Sequence, residues 1–217
     1  AMLNEVEDYF TKSFSEYTYG GVKGRGPHGY MRIIRKVLEK YPERTKDYLL
    51  CDIYHFYPTI NHSILKSLLR SRIKDNHLLQ RFDEIIDSVD GETGMYPGTK
   101  LAQFFSLVYL YFFDHDLKRC FHILDSPALV EYYTKRYIEE RIATAKTDRD
   151  YEDLSKGVQY LSEKFKGYLN RLDFCYRLAD DVLILHEDTV FLHFVIEWIA
   201  LYYGNELKLT VNPKWKV

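Results

Sequence analysis

Cysteine is scarce in this chain of 217 residues, and long apolar runs and an excess of one charge are lacking. The three cysteines, Cys51, Cys120 and Cys175, follow no spacing typical of zinc sites, and their odd number does not indicate a disulfide framework. Cys51 and Cys175 lie within apolar segments, so we expect buried free thiols. Free thiols favour a reducing compartment, and we expect the protein to be cytoplasmic.

Membrane segments are also missing from the sequence. No apolar run reaches the length of a transmembrane helix. The acidic stretch that begins the chain has none of the features of a secretory signal. We therefore expect no membrane partner.

The charges nearly cancel, since 30 Lys and Arg stand against 32 Asp and Glu, for a net charge of −2. Proteins that bind nucleic-acid backbones usually carry a clear positive excess. Any basic groove in this protein must therefore be local.

Apolar residues are plentiful, and their 46% share is enough for a sizeable core in one large domain or two small ones. Apolar periodicity, turn residues and a plausible helix cap at Asn61 divide the chain into elements. We predict helices over 30–40, 62–72, 77–88, 101–121, 128–145, 151–171 and 189–203, the last ended by Gly204, and strands over 48–53, in a hairpin at 173–186, and over 207–217.

Three aspartates lie at the ends of apolar strands. Asp180 and Asp181 form the turn of the predicted hairpin, and Asp52 ends the strand at 48–53. Magnesium prefers carboxylate oxygens, and two such ions serve in-line phosphoryl transfer. An Asp-Asp pair is also ordinary turn chemistry, and an aspartate after a strand is often the start of a loop. The residues alone leave these interpretations open.

Five stretches in a fixed order resemble the motifs of reverse transcriptases. Residues 52–60, Asp-Ile-Tyr-His-Phe-Tyr-Pro-Thr-Ile, resemble the first catalytic motif of this family, and 96–103 resemble the glycine loop and helix of the second. Leu-Ala-Asp-Asp at 178–181 is similar to the third motif, and 207–214 is similar to the fourth. The loop at 19–28 is similar to the Gly-Arg-x-x-His loop of the group II intron and phage-type bacterial enzymes.

The resemblance implies an α+β polymerase palm, a ferredoxin-like antiparallel sheet that carries Asp52 beside the hairpin. The helices at 101–121 and 189–203 would back this sheet. Residues 1–50 would be partial fingers with a template-contacting loop, and 51–217 the palm, with fingers helices at about 60–90 and a helical insertion at about 119–171. Family members continue into a thumb after the fourth motif, so we expect a palm with partial fingers and no thumb.

The resemblance also implies roles for individual residues. Asp52 and Asp180 would bind both metal ions, Asp181 would support one of them, and the carbonyl of Ile53 would complete a metal shell. The remaining expected contacts are with the incoming nucleotide, through Phe56, Tyr57, Gly98 and Lys214, and with template or primer, through Lys23, Arg25, His28 and Gln103.

Several of these residues have a simpler interpretation. Phe56 fits plain core packing, whereas Tyr57 is favoured as the ring that excludes a 2′-hydroxyl. Gln103 and Lys214 are equally compatible with solvated surface positions, and the 19–28 loop with a solvated flexible loop. Leu178 departs from the family, which usually has tyrosine there.

The implied function is RNA-templated DNA synthesis from dNTPs on a DNA primer, by a two-metal mechanism with Mg²⁺ and with Mn²⁺ as a possible substitute. Two alternatives remain at this point. One is a catalytically silent nucleic-acid-binding or assembly module, and the other is a template-independent polymerase.

Overall fold

The computed structural model describes residues 2–122, 147 and 173–217. The helices predicted over 128–145 and 151–171 lie outside the described residues.

A four-stranded sheet organises the described part of the chain. Its strands are β1 (Thr18–Tyr19), β2 (Asp47–Cys51), β3 (Phe174–Leu178) and β4 (Asp181–His186), in the spatial order β1-β3-β4-β2. β4 runs antiparallel to both β2 and β3, as predicted. β1 is parallel to β3, so the sheet is mixed rather than wholly antiparallel. The fold is compatible with the predicted α+β class.

The helices predicted over 30–40, 62–72, 77–88 and 189–203 are present, most of them with shifted ends. Asn61 caps α4 as predicted, because its side chain accepts a hydrogen bond from the amide of Ile64 at 3.0 Å. The helices are α1 (Met2–Thr11), α2 (Pro27–Lys40), α3 (Phe56–Thr59), α4 (His62–Arg72), α5 (Asn76–Ile86), α6 (Lys100–Tyr109), α7 (Tyr111–His122) and α8 (Thr189–Tyr202), with a 3₁₀ turn at Pro42–Arg44 and a π-helical turn at Tyr203–Leu207.

The single helix predicted over 101–121 is wrong, because two helices, α6 and α7, meet at Leu110. Leu110 leaves the helical region at φ −95° and ψ 5°, and its amide bonds the carbonyls of Ser106 and Val108. No glycine or proline marks the break. Because residues 104–111, on both sides of the break, are buried, the apolar run continues through it unchanged.

The predicted end of α8 and the predicted last strand also differ from the structure. Gly204 does not end the helix; it lies within the π-helical turn, and Lys208 adopts the left-handed conformation after it, at φ +54°. The segment after Lys208 forms only isolated antiparallel bridges, Leu50 with Lys216 and Ile53 with Val211.

Two apolar clusters cover the two faces of the sheet. On one face α8 packs against β2 and β4, and residues of α6 and α7 belong to the same apolar cluster as Leu49 and Ile184, so helices back the sheet as predicted. On the other face α2 packs against β3. The buried members of the apolar cluster on this face, here called the α2 cluster, are Tyr30, Ile34, Val37, Phe174, Tyr176 and Leu185.

Candidate active site

The strand register brings the three predicted aspartates to one end of the sheet. Cys51 pairs with Val182, so the next residue of the chain after β2, Asp52, comes beside Asp181 at the start of β4. Neighbouring strands lie about 4.8 Å apart, so these two backbone positions are in close contact. Asp180 lies in the two-residue turn between β3 and β4.

The carboxylates of Asp52 and Asp181 project from the face of the sheet that carries α2. Asp181 pairs with Leu178, and the side chain of Leu178 packs against the α2 cluster. Cys51 is buried in the opposite cluster, so the residue after it points to the α2 side. An approaching ligand therefore reaches these carboxylates from the side of α2.

Burial and mutual repulsion raise the pKa of two of the carboxyls. For Asp181 the causes are burial first, then the negative charges of Asp180 and Asp52. Burial also raises the pKa of Asp180, and Asp52 adds to it, while a backbone hydrogen bond and the positive charge of Arg177 oppose the shift. The structure thus concentrates negative charge that a bound cation would neutralise.

Asp52 is held from the C-terminal side of the chain. The side-chain amide of Asn212 donates to Asp52 Oδ2 at 3.0 Å, and the backbone amide of Asn212 donates to the Asp52 carbonyl at 2.9 Å. The carboxylate is half-buried and keeps lone pairs beyond this one bond. The sequence analysis missed this contact.

The turn that carries Asp180 has a strained backbone. Ala179 adopts the left-handed conformation, with φ +58°, which glycine, asparagine or aspartate usually supplies in such turns. The amide of Ala179 donates to the carbonyl of Tyr19 in β1 at 3.0 Å. A Cβ on Gly20 would lie only 2.9 Å from the Ala179 nitrogen, so this approach requires glycine.

A buried ion pair between Arg177 and Asp114 also holds this turn, through a hydrogen bond to the carbonyl of Ala179. Arg177 Nε donates to Asp114 Oδ1 at 2.6 Å, a second guanidinium nitrogen bonds Oδ2, and the third donates to the carbonyl of Ala179. The hydroxyl of Thr18 donates to Asp114 Oδ2 at 2.7 Å. The side chains of Arg177 and Asp114 are 3% and 7% exposed.

Arg177 and Asp114 were not among the residues predicted from the sequence, although a signal was present. Arg177 interrupts an apolar strand, and Asp114 interrupts an apolar helical run. Charged residues are almost never fully buried unless they are paired.

The carboxylate oxygens of the three aspartates suit magnesium, although they do not form a complete coordination shell by themselves. In residues 2–122 and 173–217, no group of three or more His, Cys, Asp and Glu side chains is positioned to hold a metal ion. Magnesium is usually held by one or two carboxylates, with waters and substrate phosphates completing its shell. Asp52, Asp180 and Asp181 supply the oxygen ligands that such binding needs, and Ile53 follows directly in the chain.

The aromatic pair after Asp52 divides between core and surface. Phe56 is 5% exposed and belongs to the main core, which confirms its interpretation as core packing, while a role for it at the nucleotide stays a prediction. Tyr57 is half-buried, with its ring 5.6 Å from that of Phe56, so part of it remains accessible. The buried face of the short helix α3 fixes this division.

The other expected nucleotide contacts lie on the surface. Gly98 is exposed with φ +92°, and a Cβ there would meet nothing within 4 Å. Its glycine is therefore needed for the backbone conformation rather than for a close contact within the chain. Lys214 is exposed in the turn after Asn212. The backbone amide of Lys214 donates a hydrogen bond to the side-chain oxygen of Asn212 at 3.1 Å.

The expected template contacts lie around the Gly-rich loop. Arg25 is already bound, since it donates to the carbonyl of Ser15 at 2.5 Å, and exposed Lys23 lies 3.6 Å from Asp8. His28 is exposed in the first turn of α2. A Cβ on Gly21 would lie 2.8 Å from Gln103, so the loop closely contacts the start of α6.

Comparison with known proteins adds no assignment, because no family model and no curated protein matches the chain. None of the helices in the described segments has the length and apolar character needed to cross a membrane.

Proposed function

We propose that this protein is an RNA-directed DNA polymerase and that its sheet is the palm that carries the catalytic carboxylates. The observation that supports this most strongly is the register of β2 and β4. It brings Asp52 beside Asp181, from positions far apart in the chain, on a face that a ligand can reach. The resemblance of five ordered stretches to reverse transcriptase motifs points to the same activity.

In this proposal Asp52, Asp180 and Asp181 bind two magnesium ions. Bound ions of this kind would supply activation of the primer 3′-hydroxyl and neutralisation of the leaving pyrophosphate. The protein itself contributes position and charge. Asn212 orients Asp52, while β1 and Arg177 hold the turn that presents Asp180.

Tyr57 would select the sugar of the incoming nucleotide. Its ring leans on Phe56, which the core holds in place. A rigid ring beneath the sugar would clash with a 2′-hydroxyl and admit a deoxyribose. The substrates would be dNTPs, an RNA template and a DNA primer, in a reducing compartment such as the cytoplasm because Cys51 and Cys175 are free thiols.

Primer extension tests the proposal. The protein is incubated with an annealed RNA template and DNA primer, dNTPs and Mg²⁺ or Mn²⁺, and the products are separated by size. We expect templated extension that Asp180→Asn lowers by at least about 10²-fold, since it removes a charge that acts in the transition state. Asp90→Asn, in an exposed loop, is the matched control and keeps full activity.

Three outcomes would overturn the proposal. Undiminished extension by the Asp180→Asn variant would refute the metal assignment. Extension that continues without template would instead identify a template-independent polymerase. Nucleic-acid binding without any incorporation by the wild-type protein would favour the silent binding module.

A further inference from the structure

Four cationic side chains form a stripe along the exposed face of α2. Arg32, Arg35, Lys36 and Lys40 recur at helical spacing and are all exposed. They lie opposite the buried stripe of the same helix, which packs on the sheet. Glu39 is the one acidic residue of α2.

The stripe is not neutralised by the described part of the chain. No described carboxylate lies within 4.0 Å of the charged nitrogens of Arg32, Arg35 or Lys36. By contrast Lys66, Arg70 and Arg81 on α4 and α5 all have carboxylate partners. In a protein of net charge −2, α2 therefore carries a local positive excess.

The stripe lies on the side of the sheet from which the carboxylates are reached. The ring of Tyr30, in the first turns of α2, lies 5.7 Å from that of Tyr19, which pairs with Leu178 at the end of β3. Just after the other end of the helix, the ring of Tyr41 lies 5.2 Å from that of Phe174 at the start of β3. The helix thus begins beside the candidate active site. From there it carries its cations away from the carboxylates.

We propose that the basic stripe of α2 binds the phosphate backbone of the nucleic acid whose reacting end lies at Asp52 and Asp181. This rests on the proposed function and names a surface for its substrate. From Arg32 to Lys40 the helix rises about 12 Å, an axial length of duplex over which one strand carries about four phosphates. Four cations and about four phosphates match in number and in length.

A membrane surface fits α2 less well, although Met31 and Leu38 are 60% and 42% exposed. A helix that lies on a membrane inserts a continuous apolar face among the lipids. The apolar face of α2 already packs against the sheet through Tyr30, Ile34 and Val37. The exposed face offers charge for backbone contacts that are independent of base sequence.

The test measures binding rather than catalysis. Fluorescence anisotropy with labelled single-stranded and duplex DNA, in EDTA and without dNTPs, gives the association constant at a series of salt concentrations. The slope of log K against log salt is about −0.7 per phosphate neutralised on a single strand and about −0.9 on a duplex. The variant Arg32→Gln/Arg35→Gln/Lys36→Gln should therefore lose about 2 to 3 units of slope.

Two control proteins make this result specific. Lys66→Gln/Arg70→Gln/Arg81→Gln removes the same total charge from α4 and α5 and should keep the wild-type slope. Arg32→Lys/Arg35→Lys keeps the charge on α2. It should also keep the wild-type slope, because contacts with the phosphate backbone depend on charge rather than on the type of side chain. Circular dichroism of each protein confirms that it is folded.

Equal slopes for the α2 variant and the α4–α5 variant would overturn the proposal. So would a wild-type protein that binds no DNA, or an α2 variant that loses binding only to vesicles of anionic lipid. The proposed polymerase activity is judged separately by the Asp180→Asn experiment. An active polymerase whose α2 variant binds DNA normally would refute this surface alone.

Discussion

Loss of the buried charge partner of Arg177 should destabilise the protein strongly. Asp114→Asn preserves the shape of the side chain but leaves the guanidinium without a counter-ion, and both partners are less than a tenth exposed. Breaking a buried pair in this way costs about 3–5 kcal/mol of unfolding free energy. For a domain of this size that corresponds to a fall in Tm of about 6–20 °C.

Thermal and urea denaturation followed by circular dichroism would measure this loss. Thr18→Val is the graded control, because it removes only the 2.7 Å hydrogen bond to Asp114 Oδ2. A hydrogen bond to a charged group contributes about 1.5–3 kcal/mol, so this variant should lose less stability than Asp114→Asn. The prediction therefore requires that Asp114→Asn lower the free energy of unfolding more than Thr18→Val does.

A double replacement separates stability from positioning. Asp114→Leu/Arg177→Met substitutes an apolar pair of similar volume and should regain most of the lost stability. It also removes the guanidinium that donates to the carbonyl of Ala179. Ala179 lies just before Asp180, and its backbone is strained in the left-handed conformation. We therefore expect primer extension to stay at least about 10-fold below wild type, mainly through kcat.

Two results would refute this reasoning. A fall in stability below about 1 kcal/mol for Asp114→Asn would show that the pair is solvated in solution. Full extension activity in the stable double variant would show that Arg177 has no part in positioning the turn.

Two further predictions concern the carboxylates and the aromatic gate. Because the folded-state pKa of Asp180 is raised above its ordinary value of 3.8, ionisation of this group opposes folding. In EDTA, Asp180→Asn should therefore raise Tm at pH 7. This gain in Tm should shrink as the pH falls through the raised pKa of Asp180, and it should vanish below the ordinary pKa of an aspartate. An equal gain in Tm at all pH values would contradict this. If Tyr57 excludes the 2′-hydroxyl, Tyr57→Val should raise kcat/KM for ribonucleotides relative to deoxyribonucleotides by about 10- to 200-fold. An unchanged ratio would remove Tyr57 from that role.

Local features of the structure could be predicted because their causes are local. The hairpin of β3 and β4 follows from two apolar runs joined by a two-residue turn, and the start of α4 follows from the side chain of Asn61. The break at Leu110 could not be predicted, since burial on both sides leaves no change in hydrophobicity to mark it. The different burial of Phe56 and Tyr57 was also expected from the sequence, and the core position of Phe56 confirms it.

The pattern of residues was enough to show which side chains could carry acid chemistry and that each would lie at the end of an apolar strand. That Asp52 and Asp181 are neighbours on one face was decided by folding, because the pairing of β2 with β4 joins segments more than a hundred residues apart. The ion pair of Asp114 with Arg177 and the orientation of the α2 cations were decided in the same way. Such contacts depend on which surfaces are buried together, and no local pattern of residues encodes that.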